Sequence, residues 1–182
     1  MSRKVWIAIA AFVVLFGAAY VGSPFWAARQ FRDAALSANV DDLDAAVDFP
    51  AVRESLKSQM TVALTAKMQN DPEMQNNPFA GLGMMMMPAI IAKMVDAFVT
   101  PEGISALVKR GKVEKGSTGA ESGPEVDYNY DYRALDRFAV TVRAPDTERD
   151  QAPNFVFERR GLFSWKMTRL EIPQDAFAGS KS

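Results

Sequence analysis

The fold is best indicated by the stretch Asp127-Tyr128-Asn129-Tyr130-Asp131-Tyr132, in which polar and aromatic residues alternate without exception. A repeat of two residues is that of a β-strand, whose successive side chains point to opposite faces. The stretch therefore predicts a strand with three tyrosines on one face and three polar side chains on the other.

Three further strands are predicted after it. Residues 137–143 alternate in the same way, and residues 155–158 and 162–172 predict a third and a fourth strand. The turn Arg159-Arg160-Gly161 lies between the last two, and its glycine suits a hairpin. Because helical patterns come before these strands, we expect an α+β fold in which helices pack on a four-stranded antiparallel sheet.

The chain begins with two basic residues followed by an uncharged apolar run over residues 5–21. Seventeen residues in a helix cover about 25 Å, near the lower limit for crossing a bilayer, and extension toward Trp26 would add length and an interfacial aromatic. The run predicts either a transmembrane anchor or a signal peptide with a cleavage site after Ala19. We favour the anchor because the helical pattern continues to Leu36.

These features predict a location and a domain plan. Residues 1–24 form the anchor or signal segment and residues 25–182 one α+β domain, with a helical part at 25–110, a linker at 111–124 and the sheet at 125–173. Residues 5–21 would contact the lipid bilayer. We expect a single-pass protein of the bacterial inner membrane with its domain in the periplasm, because a short basic N-terminus stays inside.

The helical part contains three predicted elements before the methionines. A short helix is expected at residues 42–47 with Asp41 as its cap, and Pro50 suits the first turn of a second helix. From Val52 the apolar positions of that helix recur on one face, at Leu56, Met60, Ala63, Leu64 and Met68. Residues 70–83, with two prolines and two glycines, predict a loop.

Four consecutive methionines, Met84 to Met87, precede Pro88. Thioether sulfur suits cuprous ion, but consecutive helical residues point about 100° apart and so cannot meet at one ion. We predict a regular helix beginning near Pro88, with an apolar stripe that packs on the core or on an apolar ligand. The stripe comprises Met84, Met87, Ile91, Met94, Val95 and Phe98. Thr100 should cap a further short helix.

Composition excludes several classes of function. The chain has no cysteine and no histidine, which removes disulfides, thiolate metal sites, a cysteine nucleophile and the usual general base near neutral pH. Its 21 basic and 22 acidic residues nearly cancel, so no nucleic-acid partner is implied. The glycines match no nucleotide-binding motif. We therefore predict no metal, no cofactor and no catalytic residue.

Three stretches resemble a known family: residues 48–56, Thr100-Pro101-Glu102-Gly103 and residues 158–166. They are similar to the bacterial membrane-anchored family of domain of unknown function 2939, over nearly everything after the anchor. The resemblance implies a bacterial envelope location and carries over no activity. A looser likeness to nuclear transport factor two-like domains implies a curved, cone-shaped sheet that encloses a pocket.

In such a cone the sheet and the methionine stripe would enclose an apolar cavity, although the same residue types also fill cores. The candidate ligand-pocket residues are Tyr128, Tyr130, Phe138, Val140, Trp165 and Met167. The predicted function is a non-catalytic, membrane-tethered domain that binds an apolar small molecule or a protein partner. The alternative is a small lyase, isomerase or hydrolase using Asp and Tyr, although Asp127 and Asp131 would lie about 13 Å apart in one strand.

Overall fold

The computed structural model describes residues 2–70, 80–106, 127–143 and 151–173, and in these ranges helices precede a four-stranded sheet. The helices are α1 (Arg3–Ser37), α2 (Val40–Ala46), α3 (Phe49–Asn70) and α4 (Ala80–Phe98), and residues 101–106 are also helical. The strands are β1 (Asp127–Ala134), β2 (Arg137–Arg143), β3 (Asn154–Arg159) and β4 (Trp165–Glu171). The predicted α+β architecture is confirmed. The predicted linker at residues 111–124 lies outside the described residues.

The sheet is antiparallel throughout, in the order β1-β2-β3-β4. Tyr130 pairs with Val140, and Val140 with Phe155, so these side chains share the face that α1 covers. Arg133 of β1 forms an ion pair of 2.8 Å with Glu171 of β4, so two long side chains join the edge strands. A cone shape stays a prediction.

Helix α1 is unbroken over 35 residues although Pro24 lies inside it. Proline has no N–H, so the carbonyl of Tyr20 loses its usual donor four residues on. The Ser23 hydroxyl donates to that carbonyl instead, at 2.8 Å. The helix therefore joins an exposed apolar half, residues 5–21, to a core half, residues 23–37, that contains Ser23, Pro24, Ala27, Ala28 and Ala34 as buried residues.

Two helices in the described part are long and apolar enough to cross a membrane: α1, and the segment Gly81–Phe98 of α4. Helix α4 also packs on α3, with Ile91 and Val95 buried. Its Asp96 forms an ion pair of 2.8 Å with Lys57 of α3. These contacts join α4 to the domain, whereas the apolar half of α1 is almost entirely exposed.

Helix α2 begins at Val40, and the Asn39 side chain accepts hydrogen bonds from the N–H groups of Asp41, at 3.0 Å, and Asp42, at 3.3 Å. The prediction that Asp41 caps this helix was wrong. Asn39 has the extended backbone that a cap requires, while Asp41 is already in the first turn. Asp48 caps α3 by accepting from the Ala51 N–H, at 3.2 Å.

The amphipathic pattern of α3 is confirmed, since Val52 and Leu56 are buried in the core. On the neighbouring turn Gln59 binds the outer edge of β4. Its amide nitrogen donates to the Leu170 carbonyl at 2.8 Å, and its amide oxygen accepts from the Ile172 N–H at 3.0 Å. One side chain thus satisfies two backbone groups of an edge strand.

Helix α4 begins at Ala80, so the predicted start near Pro88 was wrong. The predicted loop at residues 70–83 was wrong at Asn70 and at residues 80–83, which are helical, and residues 71–79 lie outside the described part. Proline removes a single backbone donor, and the helix continues because α3 packs against it on both sides of Pro88. Part of the methionine stripe packs: Ile91 and Val95 are buried and Met87 is partly buried against the core, while Met94 and Phe98 are exposed.

Strand β4 begins at Trp165, three residues later than predicted. The Ser164 carbonyl accepts from the N–H groups of Arg160, at 2.9 Å, and Gly161, at 3.3 Å. This closes a turn in which Leu162 and Phe163 are exposed. The predicted Thr100 cap is confirmed, because its hydroxyl accepts from the Gly103 N–H at 3.0 Å.

The core lies between the core half of α1 and the sheet. Phe138 and Phe157 are buried at its centre, with Leu43 and Val47 of the α2 region beside them. The Trp165 indole N–H donates to the Ser23 hydroxyl at 2.8 Å. Ser23 thus donates along α1 and accepts from β4, which ties the sheet to the helix next to Pro24.

We expect Ser23→Ala to lower the free energy of unfolding by about 1–3 kcal/mol, because it leaves the buried Trp165 N–H and the Tyr20 carbonyl without their partner. Ser37→Ala is the matched control, since the Ser37 hydroxyl binds only the Ala34 carbonyl of the same helix, at 3.1 Å. Denaturant unfolding of the full chain in detergent, followed by tryptophan fluorescence, measures the difference. Equal losses for the two variants would contradict this role of Ser23.

Candidate functional site

A half-open cavity of about 490 Å³ lies between the core half of α1 and the faces of β1, β2 and β3. This volume is within the range of about 300–1,000 Å³ that small-molecule sites occupy. Its lining is apolar and aromatic except for two arginines. The lining residues are Phe25, Ala28, Arg29, Phe31, Arg32, Tyr128, Tyr130, Val140, Val142, Phe155 and Phe157.

Helical and strand periods together bring these side chains to one place. Phe25, Ala28 and Arg32 are three and four residues apart on α1, so they share one face of the helix. The Phe25 ring contacts Tyr130 with centroids 5.4 Å apart. The Phe31 ring contacts Phe155 at 5.5 Å. Between these two contacts Ala28 offers only a methyl group, and this leaves the space unfilled.

The structure divides the six candidate pocket residues into two groups. Tyr128, Tyr130 and Val140 line the cavity. Phe138, Trp165 and Met167 lie in the filled core, with 0%, 6% and 3% of their surface exposed. The same face of the sheet is therefore closed at one end and open at the other.

Sequence reasoning missed the helical wall of the cavity, which comes from α1. The methionine stripe, expected to form that wall, lies on α4; its Met84 and Met87 contact α3 across a separate, small gap. The signal for α1 was present in the helical spacing of Phe25, Ala28 and Arg32 after Pro24.

Two exposed arginines, Arg29 and Arg32, are among the residues that line the cavity. The Arg32 guanidinium lies 5.0 Å from the centre of the Tyr128 ring, where a cation is attracted by the ring face. Arg29 lies one turn earlier and forms an exposed ion pair of 3.8 Å with Asp33. No carboxylate lies among the described lining residues.

The acidic residues of the tyrosine strand do not form a catalytic group with the cavity. Asp127 is exposed and pairs with Arg143 at 2.7 Å. Asp131 alternates with the tyrosines and so belongs to the opposite face of the sheet. Among the residues that the structure describes, no cluster of three His, Cys, Asp or Glu side chains could hold a metal ion.

Tyr132 closes the end of the face nearest the apolar half of α1. Its hydroxyl donates to the Val21 carbonyl. Partial burial raises the pKa of the Tyr132 hydroxyl above its usual value, and the nearby Arg159 guanidinium partly opposes this. The phenol therefore remains a protonated donor at neutral pH.

A family model described as a protein of unknown function (DUF2939) matches residues 13–107, just over half of the chain. The chain belongs to this family. No curated protein and no solved structure matches it. The matched range begins inside the apolar half of α1 and ends before the sheet, so the resemblance at residues 158–166 lies outside it.

We expect Ala28→Leu to change the free energy of unfolding by less than about 1 kcal/mol, because the added methyl groups enter the cavity. The same substitution at Ala139, which is 2% exposed on the opposite face, overpacks a filled region and should cost about 1–3 kcal/mol. Denaturant unfolding of the full chain in detergent compares the two variants. A loss at Ala28 as large as that at Ala139 would contradict an unfilled cavity.

Proposed function

We propose that this DUF2939 chain is an uncleaved single-pass protein of the bacterial inner membrane whose periplasmic domain binds an apolar molecule carrying an anionic group. The observation that carries the proposal is the apolar cavity with Arg29 and Arg32 among its lining residues, built on the helix that continues the apolar segment. Its role is binding rather than catalysis.

An uncleaved anchor is supported by contacts on both sides of the weak cleavage site after Ala19. The Phe16 ring packs on Phe163, with centroids 5.4 Å apart. Tyr20 packs under the Arg159 guanidinium, 3.8 Å from the ring centre. Cleavage would remove the first contact and create a charged amino terminus beside the Arg159 cation, which is unfavourable.

The nature of the ligand follows from the two parts of the cavity. Burial of an alkyl or aryl group against Phe25, Phe31 and Phe155 removes apolar surface from water, worth about 25 cal/mol per Å². A guanidinium donates paired hydrogen bonds to carboxylate or phosphate oxygens. An anionic amphiphile, such as a fatty acid, satisfies both.

We expect a diazirine-bearing palmitic acid to cross-link to peptides containing Tyr128 or Phe31 in the full chain, held in phosphatidylcholine nanodiscs. The uncharged diazirine-bearing alcohol of the same length should label these peptides about tenfold less, because it lacks the charge-assisted hydrogen bonds. Replacing both arginines, Arg29→Gln with Arg32→Gln, should remove the preference for the acid. Mass spectrometry of the peptides gives the labelling ratios.

Ala28→Phe is the blocking variant for that experiment, since its ring would occupy the cavity. It should abolish labelling at Tyr128 while leaving labelling of the apolar residues 5–16 unchanged, which provides an internal control. Labelling at Tyr128 that is insensitive to Ala28→Phe, or equal for acid and alcohol, would disprove the proposed ligand class.

The orientation can be tested cleanly because the chain has no cysteine. In intact spheroplasts a membrane-impermeant maleimide should label Glu54→Cys, an exposed site on α3, and should label Ser2→Cys only after permeabilisation. The intact mass of the purified chain should still contain residues 2–19. A mature chain beginning at Tyr20, or labelling with the opposite sidedness, would overturn the anchor and its orientation.

A further inference from the structure

Both hairpin turns at one end of the sheet present exposed apolar side chains. Leu135, in the β1–β2 turn, is 80% exposed, and Leu162 and Phe163, in the β3–β4 turn, are 63% and 45% exposed. In a sheet with the order β1-β2-β3-β4 these two turns lie at the same end. We call these three residues the apolar tips.

This end of the sheet lies beside the apolar half of α1. Tyr132 binds the Val21 carbonyl, which sets where the sheet meets the helix. Phe163 reaches further, because its ring packs edge-on against Phe16, with centroids 5.4 Å apart. Phe16 is five residues before Val21, about 7 Å along the helix axis toward the N-terminus. The β3–β4 turn therefore extends alongside the helix to the level of the apolar residues.

One side chain holds both turns against α1. Arg159 donates from Nε to the Leu135 carbonyl, at 3.2 Å, and from a terminal nitrogen to the Leu162 carbonyl. Its guanidinium also lies over the rings of Tyr20, at 3.8 Å, and Trp165, at 4.2 Å. The position of the apolar tips relative to the helix is thus fixed by hydrogen bonds and by two cation–π contacts.

The β3–β4 turn itself is uncharged, because residues 161–164 contain no ionisable side chain. The cations on either side of it are held by the domain. Arg160 pairs with Asp48 at 2.8 Å, and Lys166 of β4 donates to the Asp44 carbonyl at 3.3 Å. The β1–β2 turn carries the acidic Asp136 beside Leu135, so we expect it to lie among the lipid headgroups rather than in the hydrocarbon.

We infer that the β3–β4 turn inserts Leu162 and Phe163 into the membrane leaflet on the domain's side. The sheet then contacts the bilayer directly, in addition to being linked to it through α1. The lipid bilayer is the occupant because the turn is continuous, through Phe163 and Phe16, with the apolar half of α1. This inference rests on the proposed membrane anchor. It adds a second membrane contact that fixes the height of the cavity above the surface.

A depth measurement by electron paramagnetic resonance tests this. The full chain carries one nitroxide label at a time, at Leu162→Cys or Leu135→Cys, in nanodiscs of phosphatidylcholine and phosphatidylglycerol. Both residues are largely exposed, and these variants retain the Phe163–Phe16 contact. The controls are Phe12→Cys, in the apolar half of α1, and Asn129→Cys, an exposed site nearer the opposite end of β1.

At Leu162 we expect the label to collide with oxygen more often than with a water-soluble nickel chelate, as at Phe12, and the order should reverse at Asn129. Leu135 should give an intermediate ratio. A Leu162 label with the ratio of Asn129, while Phe12 reports lipid, would overturn the insertion and leave the anchor intact. A water-exposed label at Phe12 would overturn the anchor itself, so the two failures are distinguishable.

Discussion

The continuity of α1 through Pro24 is the constraint on which the rest of the structure depends. A proline inside a helix costs about 3 kcal/mol when the freed carbonyl stays unpaired and the chain bends away. Here the Ser23 hydroxyl satisfies the Tyr20 carbonyl, and the Trp165 indole holds Ser23 in place from β4. The sheet thus stabilises the helix at its weakest point. Without that contact the Tyr20 carbonyl would lose its partner where the apolar half of α1 meets its core half.

Several contacts along the apolar half of α1 hold the sheet in one orientation relative to the helix. Phe163 packs on Phe16, Arg159 on Tyr20, and Tyr132 binds the Val21 carbonyl. A single contact would allow the domain to rotate about the helix. These contacts extend over about one and a half turns of α1 and come from two hairpins, so they prevent such rotation. The orientation of the cavity follows that of the helix, because its wall is formed by the next turns of the same element.

The fold was predictable where one local pattern determines an element, and unpredictable where two compete. Strict alternation located β1 and β2, since no other structure has a period of two. Leu162 and Phe163 look equally strand-like, yet the Ser164 carbonyl closes a turn around them. Pro88 predicts a helix start by local preference, but packing on α3 keeps α4 helical on both sides of it. Tyr128, Tyr130 and Val140 were among the candidate residues, but the part of the strand wall on β3 was not. The helical wall was missed because Phe25 was assigned to the membrane boundary.

None of the three tyrosines of β1 is fully buried. A tyrosine ring can be buried in a core only if its hydroxyl finds a partner, because a buried unpaired hydroxyl is costly. Tyr132 has a partner in the Val21 carbonyl and packs edge-on against Phe138, yet 37% of its surface is exposed. Tyr130 is 47% exposed, so its hydroxyl is accessible to water while one face of its ring lines the cavity. Three tyrosines on one face of a strand therefore favour a partly open site over a dry core, and the small Ala28 opposite them provides its volume.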